Sequence, residues 1–119
     1  MNAEKFIKLL KCVVKDAAVE DVVNNLKSPP GRKIKRSECE ISEWYKNLSQ
    51  DELRNVNSVI SSAVDEAIFG VLSVIDGVRP IFEMEVKGKL ILVYKYKEEC
   101  VILNDEGGEL LHDIYNSES

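Results

Sequence analysis

The sequence predicts an α+β domain: helices packed on one face of a three-stranded antiparallel meander, with a central long helix over residues 50–75. Three observations predict it. Apolar residues recur at helical spacing through residues 3–26 and again through 50–75. After Pro80 the period drops from 3.6 to 2. The alternating segments are short, separated by turn residues and confined to the C-terminal part, so helices and strands are segregated along the chain.

A chain of 119 residues is expected to form one domain, 1–119. It divides into an N-terminal helical segment (1–27), a basic loop (28–36) and an α+β core (37–119). In the first segment Phe6, Leu9, Leu10, Val13, Val14, Ala17 and Ala18 mark one helical stripe, which Val22 and Leu26 continue, and Asn2 is placed to cap its start. The stretch SPPGRKIKR, residues 28–36, cannot continue a helix, because two prolines and a glycine break it. Ser37-Glu38-Cys39-Glu40 has capping-box form and opens a short helix over 38–47, with Trp44 and Tyr45 expected as core anchors. Ser49-Gln50-Asp51-Glu52 has the same form and opens the long helix.

In the long helix Leu53, Val56, Ile60, Val64, Ile68, Leu72 and Ile75 carry the stripe, and its second half is apolar nearly all round, which predicts cover on several sides. Gly70 lowers helix propensity by about 1 kcal/mol against alanine, so another element is expected to approach closely there. Asp76-Gly77 stops the helix and Pro80 opens the first strand, 81–86. Lys87-Gly88 is read as a hairpin turn into strand 89–96, which is apolar on both faces and so central. A third strand follows at 100–103, then a flexible turn at Asn104–Gly108 and a final helix over 109–116.

Composition narrows the functional classes. Apolar residues make up 45% and charged residues 31%, ordinary values for a globular protein. No uninterrupted apolar run approaches the ~20 residues of a membrane span. Lys5, Lys8 and Lys11 interrupt the apolar N-terminus and no small-residue cleavage site follows, so no signal peptide is read and a cytoplasmic location is expected. Cys12, Cys39 and Cys100 form no CxxC pair. They are expected to be reduced thiols in partly buried space, with no metal site and no cofactor. Net charge is −5, unevenly spread: residues 97–119 hold seven acids and one base, whereas residues 1–47 are net +3. An acidic surface repels nucleic acid and steers a basic partner toward itself.

No nucleophile–base constellation stands out. His112 is the only histidine, no GxSxG elbow is present, and the neighbouring Asp113 is not placed as a triad acid would be. Asp65 and Asp76 are eleven residues apart, hence ~16 Å along a helix, too far for a glycosidase pair. Asn104–Gly108 lacks the spaced ligands of a calcium loop. Lys27, Arg32, Lys33, Lys35 and Arg36 form a basic cluster without a P-loop or an aromatic-interleaved RNA motif; they are read as a solvated loop, paired with the acidic C-terminal third.

The pattern Trp44-x3-Leu48-Ser49, Ala63-Val64-Asp65-x2-Ile68-Phe69-Gly70, Asp76-Gly77-Val78-Arg79 and Leu111-His112-Asp113 resembles a set of small bacterial proteins of unknown function. The resemblance covers residues 44–116. It implies a bacterial cytoplasmic protein and carries over no catalytic residue.

These readings converge on a non-enzymatic cytoplasmic protein-binding module, in concrete form an immunity protein that neutralises a basic, nuclease-like bacterial toxin by occlusion. Glu98, Glu99, Asp105, Glu106, Glu109 and Asp113 would meet the partner. The alternatives are a small enzyme or ligand-binding domain using Asp65, Asp76, Arg79 and His112, and a nucleic-acid binder acting through loop 31–36. A protein partner is expected, a membrane is not, and nucleic acid is disfavoured.

Overall fold

The computed structural model describes residues 1–79 and 88–117. Its elements are α1 (Ala3–Leu10), a π-helical segment (Lys11–Asp16), α2 (Ala17–Lys27), α3 (Arg36–Lys46), α4 (Gln50–Ile75), β1 (Val93–Tyr96), β2 (Glu99–Ile102) and α5 (Leu111–Ser117). The architecture is α+β with a long helix at the middle of the chain. Among the described residues the sheet is a two-stranded antiparallel hairpin; the expected strand 81–86 lies outside them, so the three-stranded meander is not shown.

The chain forms two compact units. One joins Met1–Cys12 to Glu66–Ser119; the other is Val13–Asp65. The first contains the buried core: Ile7, Leu72, Leu103, Leu111, Ile114 and Tyr115, with Phe6, Leu10, Phe69, Leu92 and Val101 packed against it. Asn2 caps α1 as expected, its side chain accepting from Lys5 N–H at 2.8 Å. The single helix expected over 3–26 is interrupted by the π segment, where the backbone widens by one residue and the apolar stripe changes direction. Ahead of it α1 serves the first unit's core; beyond it α2 packs on α3 in the second unit.

The end of α4 is a full Schellman stop. Gly77 takes φ +79°, its N–H donates to Val74 O at 3.1 Å, and Val78 N–H donates to Ser73 O at 3.0 Å. Gly70 does receive a close neighbour: Arg79 Nη1 lies 2.6 Å from where a Cβ would stand. The second half of α4 is not covered all round, since Gly70, Leu72 and Ser73 are buried but Ala67 and Val71 are exposed. By length and composition alone α4 is apolar enough to cross a membrane, although serines and the Asp65-Glu66 pair interrupt its apolar run.

The hairpin pairs Val93 with Ile102 and Tyr96 with Glu99, around a Lys97-Glu98 turn in which Lys97 takes φ +53°. Strand pairing starts at Val93 and not at residue 89, and Asn104 is the reason. Leu103 N–H donates to Leu92 O at 2.8 Å, one further rung. The Asn104 side chain then replaces the backbone: Oδ1 accepts from Leu92 N–H and Nδ2 donates to Leu90 O, both at 2.8 Å. Nδ2 also donates to Ile75 O at 3.0 Å, one of the last carbonyls of α4. Asn104 is therefore a buried connector, and the expected flexible turn begins only after it.

In the second unit α2 and α3 form a helical hairpin. Ser42 Oγ donates to Leu26 O at 2.6 Å, satisfying a carbonyl at the end of α2. Tyr45 is 2% exposed and its hydroxyl donates to Asn57 Oδ1 at 2.8 Å. Trp44 is 54% exposed, so only one of the two expected anchors is in the core; one residue's turn of 100° carries its neighbour outward. The α3 start lies slightly earlier than the Ser37 box implies. Glu38 accepts from Lys35 N–H at 3.4 Å, and the Lys35 ammonium has no lone pair to return the bond. All three cysteines are exposed, not partly buried as expected.

The box at the start of α4 is complete: Ser49 N–H donates to Glu52 Oε1 at 2.8 Å and Glu52 N–H donates to Ser49 Oγ at 3.2 Å. The Ser49 amide, then its hydroxyl, hold the Glu52 carboxyl below its ordinary range. A lowered folded-state pKa stabilises above the ordinary carboxylate pKa and is lost as pH falls through the lowered value. Glu52→Gln should therefore unfold at lower urea than the parent at pH 7, with the gap closing as the solution is acidified below the Glu52 pKa. A gap independent of pH would contradict this role.

Candidate functional site

Within the first unit, the start of α1, strand β2 and the segment leading into α5 enclose an open cavity of about 270 Å³. Val101, Leu103 and Ile114 provide apolar walls; Glu4, Asp105 and Glu109 place carboxylates at it. These positions follow from local structure. Val101, Ile102 and Leu103 at the end of β2 all line the cavity, and the Asp105 turn is closed by its own side chain, with Gly107 N–H donating to Oδ1 at 3.2 Å. A smaller cavity of about 100 Å³ shares Ile102 and Asp105 and adds Lys89 and Glu106, which are ion-paired.

Of the six acids expected to meet a partner, Asp105 and Glu109 line the larger cavity. Glu98 is exposed at the hairpin turn without an ion pair among the described residues, and Glu99 lies 3.4 Å from the Met1 amino group. Glu106 is engaged by Lys89, and Asp113 Oδ1 stands 3.3 Å from His112 Nε2. Glu4, contributed by α1, was not among the expected residues. Its sequence neighbourhood is basic, and only the fold brings it beside Asp105 and Glu109.

A second cluster forms where α4 ends and α5 begins. The Asp76 side chain is fully buried. Its Oδ2 accepts from the His112 backbone N–H at 2.8 Å and lies 2.6 Å from His112 Nδ1. Phe69 meets the imidazole edge-on, ring centroids 5.6 Å apart. Asp76 Oδ1 is buried with no hydrogen-bond partner. Of the four residues proposed for an alternative pocket, Asp76 and His112 come together. Asp65 belongs to the other unit, where Lys15 Nζ pairs with it at 2.9 Å. Among the described residues no carboxylate pairs with Arg79, whose guanidinium lies over Gly70.

No known family, curated protein or solved structure matches this chain. Among the described residues no group of three or more His, Cys, Asp or Glu side chains is placed to hold a metal. The reading of the chain therefore rests on its own geometry. His112 Nε2 stands 3.3 Å from Asp113 Oδ1, and the couple has the form of a structural clasp: one carboxylate follows the end of α4 and also binds the first turn of α5.

His112→Ala removes the ring from Asp76 Oδ2 but keeps the residue-112 backbone N–H on it, so it should cost about 1–3 kcal/mol in urea unfolding. In the cycle of Asp76→Ala, His112→Ala and the double variant, the coupling should be about 2 kcal/mol. Additive losses would show that the two side chains act independently.

Proposed function

We propose that this chain is a cytoplasmic, non-enzymatic protein-binding module that docks a basic partner, and that it acts as an immunity protein occluding a nuclease-like bacterial toxin. The supporting observation is the larger cavity, where Glu4, Asp105 and Glu109 surround apolar walls of Val101, Leu103 and Ile114. That combination suits a lysine or arginine side chain of a partner, whose methylenes meet the apolar wall while its charge meets the carboxylates. The excess of acid over residues 97–119 adds long-range attraction, which raises the rate of encounter more than the final affinity.

Occlusion needs no catalytic group in this chain. A toxin whose nucleic-acid channel is lined by cations presents the charge that the acids would meet, and covering the channel inhibits it. The experiment is capture of a cognate nuclease from the source cells, followed by its inhibition in vitro. Asp105→Lys/Glu109→Lys should slow association about tenfold or more at low salt, and added salt should slow the parent likewise. The proposal fails if no basic protein is captured, or if the reversal leaves both capture and inhibition unchanged.

A further inference from the structure

The tip of the α2–α3 hairpin carries Lys27, Arg32, Lys33, Lys35 and Arg36, all exposed. Arg36 is engaged by Glu40 at 3.0 Å. Among the described residues no carboxylate of the hairpin's own unit pairs with the other four. Ile34 stands between Lys33 and Lys35 and is 40% exposed. Ile41 and Trp44, three residues apart and so on one side of α3, are 50% and 54% exposed. The adjacent side of α3, about 100° around the helix, holds the hairpin through Ser42 and Tyr45.

We infer that this face is a docking surface for an anionic lipid bilayer. Charge complementarity calls for an anionic partner, and the apolar residues decide its kind. A nucleic-acid backbone would take the cations but gain nothing from Ile34 or Ile41. A bilayer interface rewards both: lysine and arginine at the headgroups, isoleucine and tryptophan at the acyl boundary. The acids of α3 do not obstruct this. Glu40 is bound by Arg36, Glu38 turns back to the Lys35 amide, and Glu43 projects about 200° around the helix from Ile41. The expectation of no membrane partner rests on the lack of an uninterrupted apolar run in the sequence, and surface attachment needs none.

The test is sedimentation of the full chain with phosphatidylcholine vesicles, with and without phosphatidylserine. Binding should require phosphatidylserine, weaken with added salt, and shift the emission of Trp44, the single tryptophan, to the blue. Lys33→Ala/Lys35→Ala should lower partitioning about twenty-five-fold, near fivefold per cation. Ile34→Ser should lower it several-fold while leaving retention on heparin unchanged. No sedimentation with phosphatidylserine vesicles, or equal binding by Ile34→Ser, would overturn the inference. So would a single-stranded DNA complex that Ile34→Ser leaves intact and vesicles fail to compete.

Discussion

The first unit depends on one side-chain amide. Asn104 presents a donor and an acceptor to the strand segment beside it, as a peptide group would, and spends its second donor on the end of α4. Asn104 satisfies three half-buried or exposed backbone groups at once: Leu92 N–H, Leu90 O and Ile75 O. It also ends the strand ladder, so the hairpin is only as long as the helix end allows. Its Oδ1 bond and both Nδ2 bonds use the amide fully; an apolar residue of the same size fills the space and orphans all three partners.

Asp76 completes the arrangement from the helix side. The Gly77 turn ends α4 by local geometry, yet Asp76 reaches across 36 residues to the amide and ring of His112. The end of α4 is thus tied to the hairpin by Asn104 and to α5 by Asp76. The acid-lined cavity lies beside these ties, built from β2, α1 and the lead into α5. Its carboxylates stand on short segments whose backbone is held by packing and turns, which is the preorganisation a docking site needs. The unpartnered Asp76 Oδ1 is a cost in this arrangement that the described residues do not offset.

What the sequence made legible is what local chemistry decides. The Ser49–Glu52 box, the Asn2 cap and the Asp76-Gly77 stop depend on residues within a turn of each other, and each is in place. Asn104 is not legible as a connector, because an asparagine before Asp, Glu and two glycines has the composition of a turn and nothing local distinguishes an amide that reaches residues 12 to 29 positions away. Hydrophobicity does not say which of the adjacent Trp44 and Tyr45 faces inward; the Ser42–Leu26 bond sets that rotation. The π segment has no composition signal, since Lys11–Asp16 continues the apolar stripe. The cavity was half legible: its acids near the C-terminus stood out by charge, while Glu4 sat in a basic segment.

The two units present unequal charge. One unit gathers carboxylates around an apolar recess, and the other exposes cations around isoleucine and tryptophan. Both features require backbone held firmly enough to present side chains in fixed positions, and in the first unit that firmness is attributed to Asn104 and Asp76. Native-state amide hydrogen exchange tests the attribution directly. The Leu92 and His112 amides, bonded only to these two side chains, should exchange with the same opening free energy as core amides such as Ile114, through global unfolding. Exchange of Leu92 and His112 at rates near those of exposed loop amides, while Ile114 stays protected, would contradict it.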